Sequence, residues 1–361
     1  MSDRASRLHA SPWLGVLYLT GGGSPFLAEV LSTPGASATV LEASVPYAQQ
    51  ALAELLKGSP EQAASETTAR QIAMAAFARA RALHNGTGSE QLFGLGLTAG
   101  LATNRTRKGA HRAHWVIQTA NSTFAFNALY EADRATEEAL LNEQIWASIE
   151  TALHGGKADL TNVTRYSATV DSHLASLLGN NPMRYAEEHH DGLLILPGSF
   201  NPIHDGHRQM LAVAERMTDR LGAFELTVRN ADKPGLDFLT LEERILAIEE
   251  RPVWLTNVPT YAEKAALFPG TTFILGVDTL ARIGQLRFYQ NREDLMETAI
   301  HAFVRHDCHF IVFGRQQGQD FHTLKDLNVP IELKHRCTEV PEDQFRHDVS
   351  STQIRLLERR R

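Results

Sequence analysis

Two histidines, His204 and His207, flank a glycine in the run Pro197-Gly198-Ser199-Phe200-Asn201-Pro202-Ile203-His204-Asp205-Gly206-His207. Imidazoles at that spacing can face one ligand together, and glycines at 198 and 206 let the backbone approach an anion closely. Near the C-terminus, Ser350, Ser351 and Thr352 offer hydroxyls and free N–H groups at a helix start, and Arg355 adds a planar fork for phosphate oxygens one turn later. These groups suit displacement at phosphorus. That reaction needs no protein nucleophile, only alignment and neutralisation of the charge that grows on the pentacoordinate centre and on the departing group.

The surrounding pattern supplies elements to position them. Apolar runs at 193–196, 224–228, 272–275 and 310–313 have strand length and end in Gly, Pro or polar residues. Helical periodicity lies between them: 207–221, with Met210, Leu211, Ala214, Met217 and Leu221 on one face, and 240–249. Alternating strands and helices predict an α/β domain with a parallel, doubly wound, Rossmann-like sheet. Its first strand runs into the glycine-bearing turn and then a helix N-terminus, an arrangement that binds anions. Asn230 and Lys233 follow the second strand, at the edge where such sheets bind ligands, and are expected to meet a substrate phosphate.

Gly198, Phe200, Pro202, His204, Gly206 and His207 match every fixed position of Gly-x-Phe-x-Pro-x-His-x-Gly-His, and this segment resembles the HxGH-motif nucleotidyltransferases. The family's second signature, Ile-Ser-Ser-Thr-x-Ile-Arg, appears as Val349-Ser350-Ser351-Thr352-Gln353-Ile354-Arg355. Between them, Gly276-Val277-Asp278-Thr279-Leu280 is similar to the Gly-x-Asp-x-Leu segment of nicotinamide or nicotinate mononucleotide adenylyltransferases, and Phe313-Gly314-Arg315 looks like their later strand ending in an arginine near ATP. The chain continues as Ile283-Gly284-Gln285-Leu286, without the tryptophan common in bacterial members. The resemblance implies adenylyl transfer from ATP to such a mononucleotide, with His204, His207 and Arg355 catalytic. Gly198, Ser199, Phe200, Gly206, Gly276, Asp278, Arg315, Ser350, Ser351 and Thr352 would hold ATP. Mg²⁺ would bridge the nucleotide phosphates mostly through water, with no metal cage of protein carboxylates. Adenylyl or cytidylyl transfer to another phosphorylated molecule, such as phosphopantetheine, and non-catalytic sensing of pyridine nucleotides are the alternatives.

The first half has a different texture, rich in Ala, Gly, Ser and Thr. With 361 residues, two domains are expected: 1–165, a linker at 166–190 that carries the breakers Gly179, Asn180, Asn181 and Pro182, and 191–361. Thr20-Gly21-Gly22, Pro34-Gly35-Ala36-Ser37, Val45-Pro46-Tyr47 and Leu95-Gly96-Leu97-Thr98-Ala99-Gly100 resemble the CinA C-terminal domain, whose active members are nicotinamide-nucleotide amidohydrolases. That resemblance implies an α/β domain, but the positions of its serine nucleophile and lysine base are Tyr18 and Leu52. A domain that keeps the fold and a nucleotide pocket without the hydrolysis is the expectation, with homo-oligomerisation through this half. The basic run from Arg105 to His114 reads as a solvated loop.

A net charge of −7 disfavours nucleic acid as a partner, and small nucleotides are expected instead. No apolar stretch approaches the ~20 residues of a membrane helix, and no signal peptide is recognisable, so a soluble, cytoplasmic protein is expected. Two cysteines, Cys308 and Cys337, without ligand-like spacing, argue against a disulfide framework or structural zinc.

Overall fold

The computed structural model describes residues 3–84, 91–104, 109–157, 160–229, 233–249, 251–317, 320–347 and 351–358. Asn230, Ser350 and the basic positions 105–108 lie outside the described residues, as does the side chain of Thr352. The chain forms two compact units, 1–176 with 230–242, and 177–229 with 243–361.

In the first unit, β1 (Leu14–Thr20), β2 (Val40–Ser44), β3 (Leu92–Gly100), β4 (His111–Thr119), β5 (Ser122–Tyr130) and β6 (Val163–Thr169) form a sheet in the order β2-β1-β3-β4-β5-β6. The β1–β2 and β1–β3 pairs are parallel and the others antiparallel. The helix Glu66–Leu83 starts where Ser65 accepts the Thr68 N–H, and it packs on β3 with almost no separation. A Cβ on Gly94 would lie 2.3 Å from the Phe77 nitrogen, and one on Gly96 2.2 Å from that of Ala73. Two glycines in a strand, ordinarily a weakness, here permit the contact. The opposite face buries Trp115, stacked on Phe126, against the helix Arg134–His154. Segment 230–242 belongs to this unit: buried Phe238 donates its N–H to Thr123 Oγ1 at 3.0 Å.

The second unit contains β7 (Arg184–Tyr185), β8 (Leu194–Gly198), β9 (Ala223–Thr227), β10 (Val253–Thr256), β11 (Thr272–Gly276), β12 (His309–Phe313) and β15 (Cys337–Val340) in one sheet, ordered β15-β12-β11-β8-β9-β10-β7. All neighbours are parallel except β10 and β7. A small hairpin, β13 (Arg315–Gln317) with β14 (Asp320–His322), stands apart. The central strands are almost wholly apolar because helices cover both faces of such a sheet. From β8 the chain builds outwards through β9 and β10, then returns to the other flank with β11, so the strand order reverses between β8 and β11. That is where open α/β sheets leave a crevice at their carboxyl ends.

The helix after β8 spans Asp205–Thr218 and buries Leu211, Val213 and Ala214. Met217 and Leu221, expected on its apolar face, are 38% and 57% exposed, because the helix ends at Thr218 and its core contact is confined to the middle turns. No helix of the described residues is long and apolar enough to cross a membrane.

The apolar packing of this unit is interrupted by one buried ion pair. Glu225 in β9 is fully buried and meets Lys264 Nζ at 2.5 Å, while Thr227 and Thr256 Oγ1 donate to its other oxygen at 2.9 and 2.5 Å. Lys264 sits in the helix Tyr261–Leu267 and also donates to Thr227. Removing one partner leaves an uncompensated buried charge, which costs about 3–5 kcal/mol. Lys264→Ala should therefore lower the thermal midpoint of this unit well below that of an exposed-lysine control such as Lys325→Ala. Equal midpoints would show the pair to be dispensable.

Candidate functional site

The site starts from the loop after β8. Phe200 has a left-handed backbone, φ 44°, and is 2% exposed. That conformation costs about 1–3 kcal/mol in a bulky residue. Burial of the ring, worth a similar ~1.5–3 kcal/mol, offsets it. The ring meets Phe224 of β9 edge-on at 5.0 Å and His207 at 5.1 Å. A Cβ on Gly198 would strike the ring at 2.6 Å, which explains glycine at that position. The loop is held from outside by Arg244, which donates to the Ser199 carbonyl at 2.9 Å.

This anchoring sets His204 as the N-cap of the helix Asp205–Thr218, with His207 one turn inside. The rings stack at 3.8 Å. The His204 N–H donates to His207 Nδ1 at 3.3 Å, so that nitrogen accepts and the neutral ring carries its proton on Nε2. Burial, with His204 and His347 close by, pushes the His207 imidazole down to about 3. His204 is lowered too, by burial and then by His347 and Arg315, against the opposing pull of Asp205. Both rings are thus neutral donors at physiological pH. They lie at the positive end of the helix, where the His207 N–H donates to the His204 carbonyl at 2.9 Å and the N–H groups of Asp205 and Gly206 precede the first intrahelical bond.

The second motif folds back onto this loop. Ser351 opens the helix Ser351–Glu358 and donates to the Pro202 carbonyl at 3.0 Å, and Arg355 donates to the Asn201 carbonyl. Residues 150 apart in sequence therefore share one short segment. Across the strand-order reversal, Gly276 ends β11 and precedes the helix Val277–Ile283, where Asp278 pairs with Arg315 at 2.6 Å. Both are partly exposed. The arginine expected to approach ATP is thus tied to the aspartate expected beside it. Imidazoles, guanidiniums and hydroxyls dominate the site, a donor set for phosphate oxygens. Among the described residues, no group of three or more His, Cys, Asp or Glu is arranged to hold a metal ion.

Lys233 is exposed and belongs to the segment that clusters with the first unit. His347, which no motif marks, does join the site: its ring lies parallel to that of His204 at 6.0 Å.

In the first unit, the turn 21–23 begins the helix Ser24–Ser32, but a carboxylate already sits there. Glu138 accepts the Gly23 N–H at 2.8 Å and pairs with Arg134 at 2.6 Å, while Arg134 also donates to the Gly21 carbonyl. The adjoining cavity, lined by Tyr47 among others, has about 70 Å³. Small-molecule sites occupy roughly 300–1,000 Å³, so this cavity is smaller than such sites. Tyr18 donates to Glu42 at 2.5 Å and Leu52 is buried in the core, so neither vacated position offers a nucleophile or a base.

The unfolded chain holds the His207 proton up to about pH 6.5, whereas the folded chain releases it above about 3. In that window the unfolded state binds more protons, so acidification destabilises the fold and the contribution is intact only above about 6.5. The thermal midpoint of His207→Phe should consequently fall less than that of the wild type between pH 7 and pH 4. Parallel curves would contradict the depressed imidazole.

Comparison with known proteins agrees with this geometry for the second unit. Residues 195–357 match the family model described as Cytidylyltransferase-like. Among solved structures, the chain is similar to the competence damage-inducible protein A (ComA) from Klebsiella pneumoniae, at 16% identity over 42% of this chain and 92% of that one, with a TM-score of 0.35. It is also similar to the competence/damage inducible protein CihA from Agrobacterium tumefaciens, at 19% identity over 42% and 91%, with a TM-score of 0.33. A competence-damaged protein (CinA) superfamily member from Escherichia coli gives 16%, 39%, 87% and 0.31. The histidine turn, the returning serine–arginine helix and the family match converge: residues 195–357 are a nucleotidyltransferase domain of the cytidylyltransferase-like family.

Proposed function

We propose that this domain transfers the adenylyl group of ATP to nicotinamide or nicotinate mononucleotide, releasing pyrophosphate. The observation that carries the reading is the meeting of both phosphate motifs on the loop after β8, with Ser351 and Arg355 bonded to the residues just before His204. An oxygen of the acceptor phosphate attacks the α-phosphorus. The new P–O bond forms as the bridge to the β-phosphorus breaks, and pyrophosphate leaves with the electron pair. His207 Nε2–H and the first-turn N–H groups stabilise charge on the transferring phosphoryl oxygens, and Arg355 lies on the same loop to neutralise the departing side. Mg²⁺ bound with the nucleotide would supply neutralisation of phosphate charge, held by the phosphates and water more than by side chains of this domain.

Support for the mononucleotide acceptor is the Gly276-x-Asp278 segment at the strand-order reversal. Cytidylyl transfer is the second reading, favoured by the name of the matching family. For the first unit, we infer a structural role without amidohydrolysis, because Tyr18 and Leu52 stand where such chemistry would need a serine and a lysine and Glu138 already binds the neighbouring turn. Oligomerisation through this half, and ATP contacts by Gly198, Ser199, Gly206 and Thr352, remain part of the same proposal.

Pyrophosphate release should be measured with Mg-ATP or Mg-CTP, each offered nicotinamide mononucleotide, nicotinate mononucleotide or phosphopantetheine. Release is expected with ATP and a mononucleotide; release only with CTP, or only with phosphopantetheine, would replace the reading. His204→Ala and His207→Ala should lower turnover by roughly 10²–10³, the loss for one preorganised donor. Undiminished turnover in both would remove the histidines from the mechanism.

A further inference from the structure

We propose that His347 is a third imidazole of the phosphate site, donating through Nδ1 together with His204 to one oxygen of the nucleotide's pyrophosphate portion. The inference rests on the phosphate-binding reading above and adds a residue that the two motifs do not contain.

His347 ends the described stretch just before the helix Ser351–Glu358, and its neighbours fix where it points. Phe345 is 9% exposed and packs edge-on against Phe313, the last residue of β12, with ring centroids 4.8 Å apart. The His347 ring lies nearly parallel to Phe345 at 6.5 Å and to His204 at 6.0 Å and 13°. The carboxyl end of β12 thereby delivers an imidazole to the N-terminus of the helix that follows β8.

The two nitrogens converge. A Cβ built on Gly206 would lie 3.0 Å from His204 Nδ1 and 3.0 Å from His347 Nδ1, so both atoms converge on Gly206 in the first helical turn. His347 Nδ1 has no hydrogen-bond partner among the described residues, His204 Nδ1 has only the capping-box approach of the His207 N–H, and both are shielded from solvent. Polar atoms buried in this way ordinarily find partners, because leaving one unsatisfied costs about 1–3 kcal/mol. Two such atoms around one point, beside a helix N-terminus, are explained by an acceptor that both can bind. An anionic oxygen fits. A side chain at 206 would crowd both rings, and glycine leaves that position open.

Binding of inorganic pyrophosphate with Mg²⁺ to the full chain tests this by calorimetry, using two variants that separate hydrogen bonding from packing. His347→Phe keeps an aromatic ring against Phe345 and His204 but removes the donor. His347→Asn loses the ring and keeps an amide nitrogen near the Nδ1 position. If His347 binds phosphate, H347F should weaken binding about tenfold or more and H347N should weaken it less. The reverse order, or wild-type affinity in H347F, overturns the inference and leaves the reading of the site standing. If the wild type binds neither pyrophosphate nor Mg-ATP, the phosphate-site reading fails, and this inference fails with it.

Discussion

Everything in the second unit's site depends on how the chain leaves β8. Phe200 turns into a left-handed conformation and drives its ring into the core between Phe224 and His207, under a position that only glycine can occupy. The strain and the burial are of similar size, so the loop is determined by packing and not by local preference. The helix Asp205–Thr218 consequently starts at His204, and its N-terminus follows β8 at the strand-order reversal. Ser351 and Arg355 bind the carbonyls of that same loop, so the C-terminal helix has a seat only because the loop has one shape.

The electrostatics follow from burial. Imidazoles packed ring against ring cannot all be charged, and His207 is held neutral by burial and by its histidine neighbours. The site thus offers directed N–H donors backed by a helix dipole and by arginines at its rim, in place of a cluster of fixed cations. Donors of this kind stabilise charge that develops during a reaction without binding the ground state as tightly. Arg315 enters through its ion pair with Asp278, which limits the freedom of its guanidinium.

Much of this was legible in the sequence. The strands predicted at 193–196, 224–228, 272–275 and 310–313 correspond within a residue or two to β8, β9, β11 and β12, because buried parallel strands must be apolar throughout. The two motifs were visible as fixed spacings. His347 was not, since a lone histidine has no spacing to mark it and its contact with His204 spans more than a hundred residues; the aromatic Phe345 two residues earlier was the only local hint. Leu221 lies beyond the helix end at Thr218, and Met217 sits in the last turn, past the buried residues Leu211, Val213 and Ala214. Tyr18 and Leu52 were read as vacated catalytic positions, but nothing in the pattern disclosed that Glu138 closes the neighbouring turn, a contact between residues more than a hundred apart. Lys233 follows β9 in sequence, yet its segment clusters with the first unit, where Phe238 is bonded to Thr123.

The central claim is that nucleotide phosphates bind over the first turn of the helix Asp205–Thr218, where β8 and β11 part. A crystal structure of the full chain with the non-hydrolysable α,β-methylene analogue of ATP and Mg²⁺ tests it most directly. The account predicts a phosphate oxygen within hydrogen-bond reach of His207 Nε2, with the triphosphate lying along the loop that Ser351 and Arg355 hold. An analogue bound elsewhere, or one whose phosphates point away from that turn, would contradict it.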